Sequence, residues 1–151
     1  MGNRQVVERF ARALEADDFD TQDALIHDDY ILDIPQSGER IRGRTNRRAM
    51  IDHYPGRVEA GIRPSVGRII GVDDRFVTPP FPAWNVMHLA GSGDDLQVTG
   101  TIRYPDDKVW HFVALVTMRE GKIWRETDYF AEPFDAPEWR SPYVERIEPT
   151  P

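Results

Sequence analysis

Asp33, Asp128 and His88 are the residues of this chain best placed to move a proton. Asp33 ends the run Tyr30-Ile31-Leu32 just before Ile34-Pro35, Asp128 lies between Thr127 and Tyr129, and His88 lies between Met87 and Leu89. A carboxyl in apolar surroundings has its charged form disfavoured, which moves its proton affinity towards that of a useful acid or base. Each also has a plainer reading. Asp33 can be a solvated residue at a strand end, Asp128 the ion-pair partner of Arg103 or Arg125, and His88 a hydrogen-bonded wall residue. Glu126 shares the face of Asp128 by alternation, and two carboxylates there need a cation, for which Arg103 is the candidate, or share a proton.

Other chemistries lack their residues. The chain has 151 residues and no cysteine, which excludes disulfides, thiolate ligands and a thiol nucleophile. His27 has Asp23 one helical turn before it but no third ligand, and His53 has no partner at such spacing, so no metal site is expected. No phosphate-binding glycine loop and no G-x-S-x-G elbow occur, and no cofactor is expected. The net charge of −7, without any Lys/Arg run, argues against nucleic acid and anionic membranes. No apolar run approaches the ~20 residues of a membrane span. The opening MGNRQVVERF has no apolar signal core, so a cytoplasmic location is expected.

The elements that must position these groups follow from periodicity. Val7, Phe10, Ala11 and Leu14 fall at i, i+3, i+4 and i+7 of an amphipathic helix. A short helix capped by Asp20 or Thr21 carries Ala24, Leu25 and Ile26, and Tyr30 to Ile34 reads as a strand stopped by Pro35. Thr45 caps a third helix that Pro55-Gly56 stops. After residue 60, apolar runs at 62–72, 76–90, 96–104, 109–118 and 123–130 alternate with turn signals, the mark of antiparallel hairpins. Pro79-Pro80-Phe81-Pro82 must interrupt a strand. Residues 1–151 thus form one domain of α+β class, helices on one face of a curved sheet, with 133–151 a proline-rich arm.

Turn chemistry assigns faces. Glu120 suits positive φ poorly, so a three-residue loop with Gly121 as bulge glycine pairs Met118 with Lys122 and Phe112 with Asp128. A loop at 105–108 pairs Arg103 with Trp110, and one at 91–94 pairs His88 with Gln97. The inner face then carries Trp84, His88, Arg103, Trp110, Phe112, Glu126, Asp128 and Phe130, an aromatic wall with few polar groups, as small-molecule pockets have. Phe10, Leu14 and Tyr54 add helix walls. The outer set, with Met87, Leu89, Leu96, Val98, Val113, Leu115 and Tyr129, is apolar enough to predict a homodimer through the convex face. Trp139 or Tyr143 of the arm is expected to close the cone. Asp33, without an evident cation, is expected to be raised in pKa by burial.

The order helix, helix, strand, helix, long meander resembles the nuclear-transport-factor-like superfamily of cone-shaped (cystatin-like) α+β domains, and within it the SnoaL-like proteins. Residues 28–30, 35–43, 121–123 and 128–134 carry the likeness. It implies a small, largely apolar ligand and cofactor-independent acid–base chemistry: cyclisation, isomerisation, dehydration or hydration. A ligand-binding or structural module without chemistry is the alternative. Asp28 to Asp33 is similar to the ketosteroid isomerase strand that delivers the general base, Asp33 matching that base. Phe10 and Ala114, however, stand where that family has its two oxyanion donors, so steroid isomerisation is not expected. Asp128 matches a carboxylate that SnoaL-like cyclases use as a base. An Asp–Arg–Asp set resembles that of limonene epoxide hydrolases.

Overall fold

The apolar stripe of the first segment forms α1 (Asn3–Glu15), with Val6, Val7, Phe10 and Ala11 buried. The computed structural model describes residues 1–16, 18–53, 65–66, 83–103 and 108–147, with backbone alone for 15, 65–66, 83–86 and 102–103. Helix α2 (Phe19–Leu25) starts earlier than expected, because Asp18 accepts the Thr21 N–H at 2.9 Å and thereby caps it. Ile26 opens β1 (Ile26–Ile34), a strand longer than the Tyr30–Ile34 run, since Ile26 lies opposite Ile123 of the last strand. After β2 (Glu39–Arg42), α3 (Gly43–Asp52) begins ahead of Thr45, with Arg42 at its cap position.

The remaining strands are β3 (Ser65–Val66), β4 (Ala83–Ser92), β5 (Asp95–Arg103), β6 (Val109–Arg119) and β7 (Lys122–Ala131). The rest of the run expected at 62–72, and residues 76–82 of the run expected at 76–90 with the prolines at 79–82, lie outside the described residues. The strands form one mixed sheet in the order β2-β1-β7-β6-β5-β4-β3. Strand β1 runs parallel to β7 and β3 to β4, the other neighbours being antiparallel. The architecture is α+β, with the sheet curved and unclosed. Val6 and Phe10 of α1 share one core with Tyr30, Leu89, Phe112 and Ile123 of the inner sheet face.

The β6–β7 hairpin is tighter than the expected three-residue loop. Arg119 pairs with Lys122 across a two-residue turn with φ 53° at Glu120 and 71° at Gly121, positive at both central positions as type I′ requires. Ile123 then pairs with Met118 and Arg125 with Thr117, leaving Trp124 as the extra residue of a bulge. Beyond it Ala114 lies opposite Asp128 and Phe112 opposite Phe130. This is two positions from the expected pairing of Phe112 with Asp128. An even slip keeps every face, so Phe112, Ala114, Glu126, Asp128 and Phe130 do share the inner side.

An odd slip does not. Ile102, rather than Arg103, pairs with Trp110, and this inverts β5 relative to β6. Strand β4 follows, with Leu89 opposite Val98 and His88 opposite Thr99. Met87, Leu89, Leu96 and Val98 therefore lie in the core at 0–6 % exposure instead of on the outer surface. The physical reason is burial: the even residues of β5 are the apolar ones, and they take the side facing α1. On the outer face Leu115 and Tyr129 stay exposed, at 45 % and 39 %.

The arm after β7 makes one short 3₁₀ helix, Glu138–Tyr143. Its Trp139 and Tyr143, expected to close a cone, are 72 % and 82 % exposed in the single chain.

Candidate functional site

Two carboxyls on β7 form the centre. Past the Trp124 bulge, Glu126 and Asp128 point to the helix-covered side, opposite Val116 and Ala114 of β6. Asp128 is buried, and its Oδ1 has no hydrogen-bond partner. Burial first, then the charge and hydrogen bonding of Glu126, raise the Asp128 carboxyl well above the ordinary carboxylate range; Arg47 acts in the opposite sense. Asp128 thus keeps its proton to higher pH than a free aspartate.

Neighbouring elements hold Glu126. Parallel pairing sets Leu32 beside Glu126, and Tyr30, two residues earlier and buried at 1 % exposure, donates its hydroxyl to Glu126 Oε2 at 2.7 Å. That same burial, with the charge of Glu126, raises the Tyr30 phenol well above its usual value, so the hydroxyl remains a donor. The cation comes from α3. Arg47, 5 % exposed, donates to Gln22 Oε1 of α2 at 2.8 Å and lies over the Phe10 ring of α1 at 4.7 Å. Gln22 in turn donates to the Ala13 carbonyl at 3.0 Å. Three helices thereby fix one guanidinium whose field reaches both Tyr30 and Asp128.

The walls are aromatic. Phe112 is buried with its ring 5.3 Å from that of Phe130, tilted by 51°. Phe10 is in the core, Leu14 packs against it, and Trp110 is half-buried on the inner register. The turn after β1 is tied to this wall, because the Phe130 N–H donates to Gln36 Oε1 at 2.5 Å.

Asp33 does not join the group. Leu32 and Tyr30 take the inner side of β1, so Asp33 falls on the outer side, opposite Arg40 of β2. Arg40 donates to both its oxygens, at 2.6 and 2.7 Å, and this pair lowers the Asp33 pKa, the reverse of the expected rise. His88 is half-buried on the outer register beside Thr99, so the inward placement expected for it is corrected. Arg103 pairs with Val109 instead of Trp110; its side chain and that of Trp84, like the whole of Tyr54, lie outside the described residues.

Sequence reasoning missed Tyr30, Gln22 and Arg47. Arg47 did leave a signal, since Arg47, Met50 and Ile51 stand at i, i+3 and i+4, a charge among the apolar positions of α3. Among the described residues no three metal-ligating side chains cluster, and no helix is long and apolar enough to cross a membrane.

Comparison with known proteins agrees with this architecture. A family model described as SnoaL-like domain matches residues 7–126. An NTF2-like protein of unknown function from Burkholderia xenovorans is 32 % identical over 97 % of this chain and 95 % of its own, with a TM-score of 0.65. A putative ketosteroid isomerase from Kribbella flavida shares the fold at 22 % identity, 97 % and 90 % coverage and a TM-score of 0.71. So does an epoxide hydrolase of the LEH-like type from Mycobacterium tuberculosis, at 23 %, 85 % and 81 %, and 0.54. A comparison with curated proteins finds no match. With a family match over residues 7–126 and an NTF2-like relative aligned along nearly its whole length, the chain belongs to the SnoaL-like domain family of NTF2-like proteins.

Proposed function

We propose that this domain binds a small, neutral, largely apolar molecule against the inner sheet face and moves a proton on it through Asp128. The carrying observation is the buried, unpartnered Oδ1 of Asp128 beside Glu126, in a wall otherwise built by Phe10, Phe112 and Phe130. A buried carboxyl with elevated proton affinity suits general acid–base work. Glu126, held by Tyr30, is the second proton acceptor, and Arg47 offsets its charge so that the site has little net charge to repel an apolar guest. In an isomerisation one proton leaves a carbon of the ligand for a carboxylate and one returns at another atom, so no co-reactant is needed. The carboxyl–Arg–carboxyl set also favours a second reading, hydration of an epoxide, in which water adds to carbon as the ring C–O bond breaks, Asp128 protonates the freed oxygen and Glu126 takes the proton that the water loses.

The test uses phenol as binding probe and 3-cyclohexenone in D2O as reporter of proton transfer, both followed by NMR. Expected are phenol-induced shifts at Phe112, Ala114 and Phe130, deuterium uptake by the ketone with the native chain, and loss of uptake with retained phenol binding in Asp128→Asn. Binding without uptake makes the domain a non-catalytic ligand module. No shifts at the inner face overturn the site itself.

A further inference from the structure

Among the described residues, the most exposed large apolar side chains lie in the arm rather than on the sheet. Phe134, Trp139, Tyr143 and Ile147 are 82 %, 72 %, 82 % and 89 % exposed. The arm is nevertheless shaped. A 3₁₀ helix, Glu138–Tyr143, sets Trp139 and Tyr143 four residues apart, with Pro137 and Pro142 restricting the backbone and Arg140 over the Trp139 ring at 5.2 Å. Its root is held where Ala131 pairs with His111 and Glu132 forms an ion pair with Lys108. A preorganised segment loses little entropy on docking.

We propose that this arm lies across the outer sheet face of a second copy of the chain, and that the two copies exchange arms. The same chain leaves both halves of such a contact open, the arm aromatics and, on the outer face, Leu115 and Tyr129, as a self-complementary two-fold interface requires. Charge agrees. Residues 132–147 carry Glu132, Asp135, Glu138 and Glu145 against Arg140 and Arg146, while pairing sets Arg42 and Arg125 on either side of Ile31 on the outer register. Area agrees as well. At ~200 Å² per aromatic side chain, the three exposed rings of each arm offer roughly 450 Å². Two arms and the surfaces they cover then exceed the ~1,200 Å² at which stable interfaces begin. On the sheet, Met87, Leu89, Leu96 and Val98 are spent on the core, which leaves the arm to supply more of the apolar contact.

Light scattering on the full chain at micromolar concentration is expected to give a dimer. The full-length Trp139→Ser/Tyr143→Ser variant, with an unchanged circular dichroism spectrum, is expected to dimerise at least tenfold more weakly, as when buried aromatic anchors are removed. The chain has no cysteine of its own, so Tyr143→Cys and Leu115→Cys chains report position: mixing them is expected to give the mixed disulfide in excess over either self-linked product. A native monomer, a double variant that dimerises as tightly as native, or no excess of the mixed disulfide overturns the proposal. So does a monomer whose Trp139 fluorescence shifts only with phosphatidylcholine vesicles, which assigns the arm to a membrane.

Discussion

Asp128→Asn removes the titration of the buried carboxyl while keeping its shape. Burial and Glu126 raise the folded pKa of Asp128 above its unfolded value of about 3.9. The native state therefore holds that proton more tightly than the unfolded chain does. The resulting stabilisation is complete below the unfolded pKa and is lost as pH rises through the folded pKa. Asn is neutral at every pH, and its amide can donate to Glu126 as the protonated acid does. The stability of the Asn variant relative to the parent must climb with pH, by about 1.4 kcal/mol for each unit separating the two pKa values of Asp128. For a chain of this size that is roughly 3–6 °C of Tm per unit. Thermal unfolding of both proteins by circular dichroism from about pH 4 to about pH 9 reads the difference, in which the groups common to both chains cancel. A difference that stays flat, or falls with pH, refutes the claim that desolvation governs Asp128.

Tyr30→Phe deletes the 2.7 Å hydrogen bond to Glu126 and should cost about 1.5 kcal/mol in urea unfolding at constant m, the low end for a bond to a charge because Glu126 is half-buried. Asp33→Asn should leave phenol binding at the inner face intact. Because Arg40 lowers the Asp33 pKa, the parent's advantage over this variant is present above the unfolded pKa and disappears as pH falls through the folded one, which acid titrations of both chains can follow. Gly91→Ala places a Cβ 2.4 Å from the Asp95 carbonyl oxygen at φ +95° and should destabilise by about 3 kcal/mol, against about 1 kcal/mol for Gly93→Ala, which meets nothing within 4 Å. Thermal unfolding of the pair separates the clash from the backbone term.

What could be read in advance depended on whether the signal was local. The stripe of α1 is set by its own residues, and Val7, Phe10 and Ala11 are buried as their spacing implies. The carboxyls of β7 reached the inner face in spite of a misjudged turn, since a slip of two leaves side-chain direction unchanged. At β5 a slip of one carried Leu96 and Val98 across the sheet and His88 with them; residues 104–107 give no residue-type cue strong enough to distinguish loops one residue apart. The partners of Glu126 were harder still. Tyr30 meets it only through a parallel pairing of β1 with β7, strands about a hundred residues apart in the chain, and such pairings leave no turn in the sequence to find. Asp33 was misjudged for a similar reason, its cation arriving on β2, a four-residue strand that no apolar alternation announces.

The extra residue at Trp124 makes the chemistry of the last strand a matter of counting. Were Trp124 instead to pair with Thr117, the continuous ladder from Met118 and Ile123 would carry Arg125, Thr127 and Tyr129 to the helix side and Glu126 and Asp128 to the other. A three-nucleotide deletion of Trp124 itself would straighten the strand and leave the acid–base pair inside, whereas loss of Thr127 would make Glu126 and Asp128 neighbours on opposite faces and break the pair in one event. Descent within such a lineage is then recorded in gaps as much as in letters. Any alignment that lets a gap drift across residues 122–125 will compare the lining of one protein with the exterior of another.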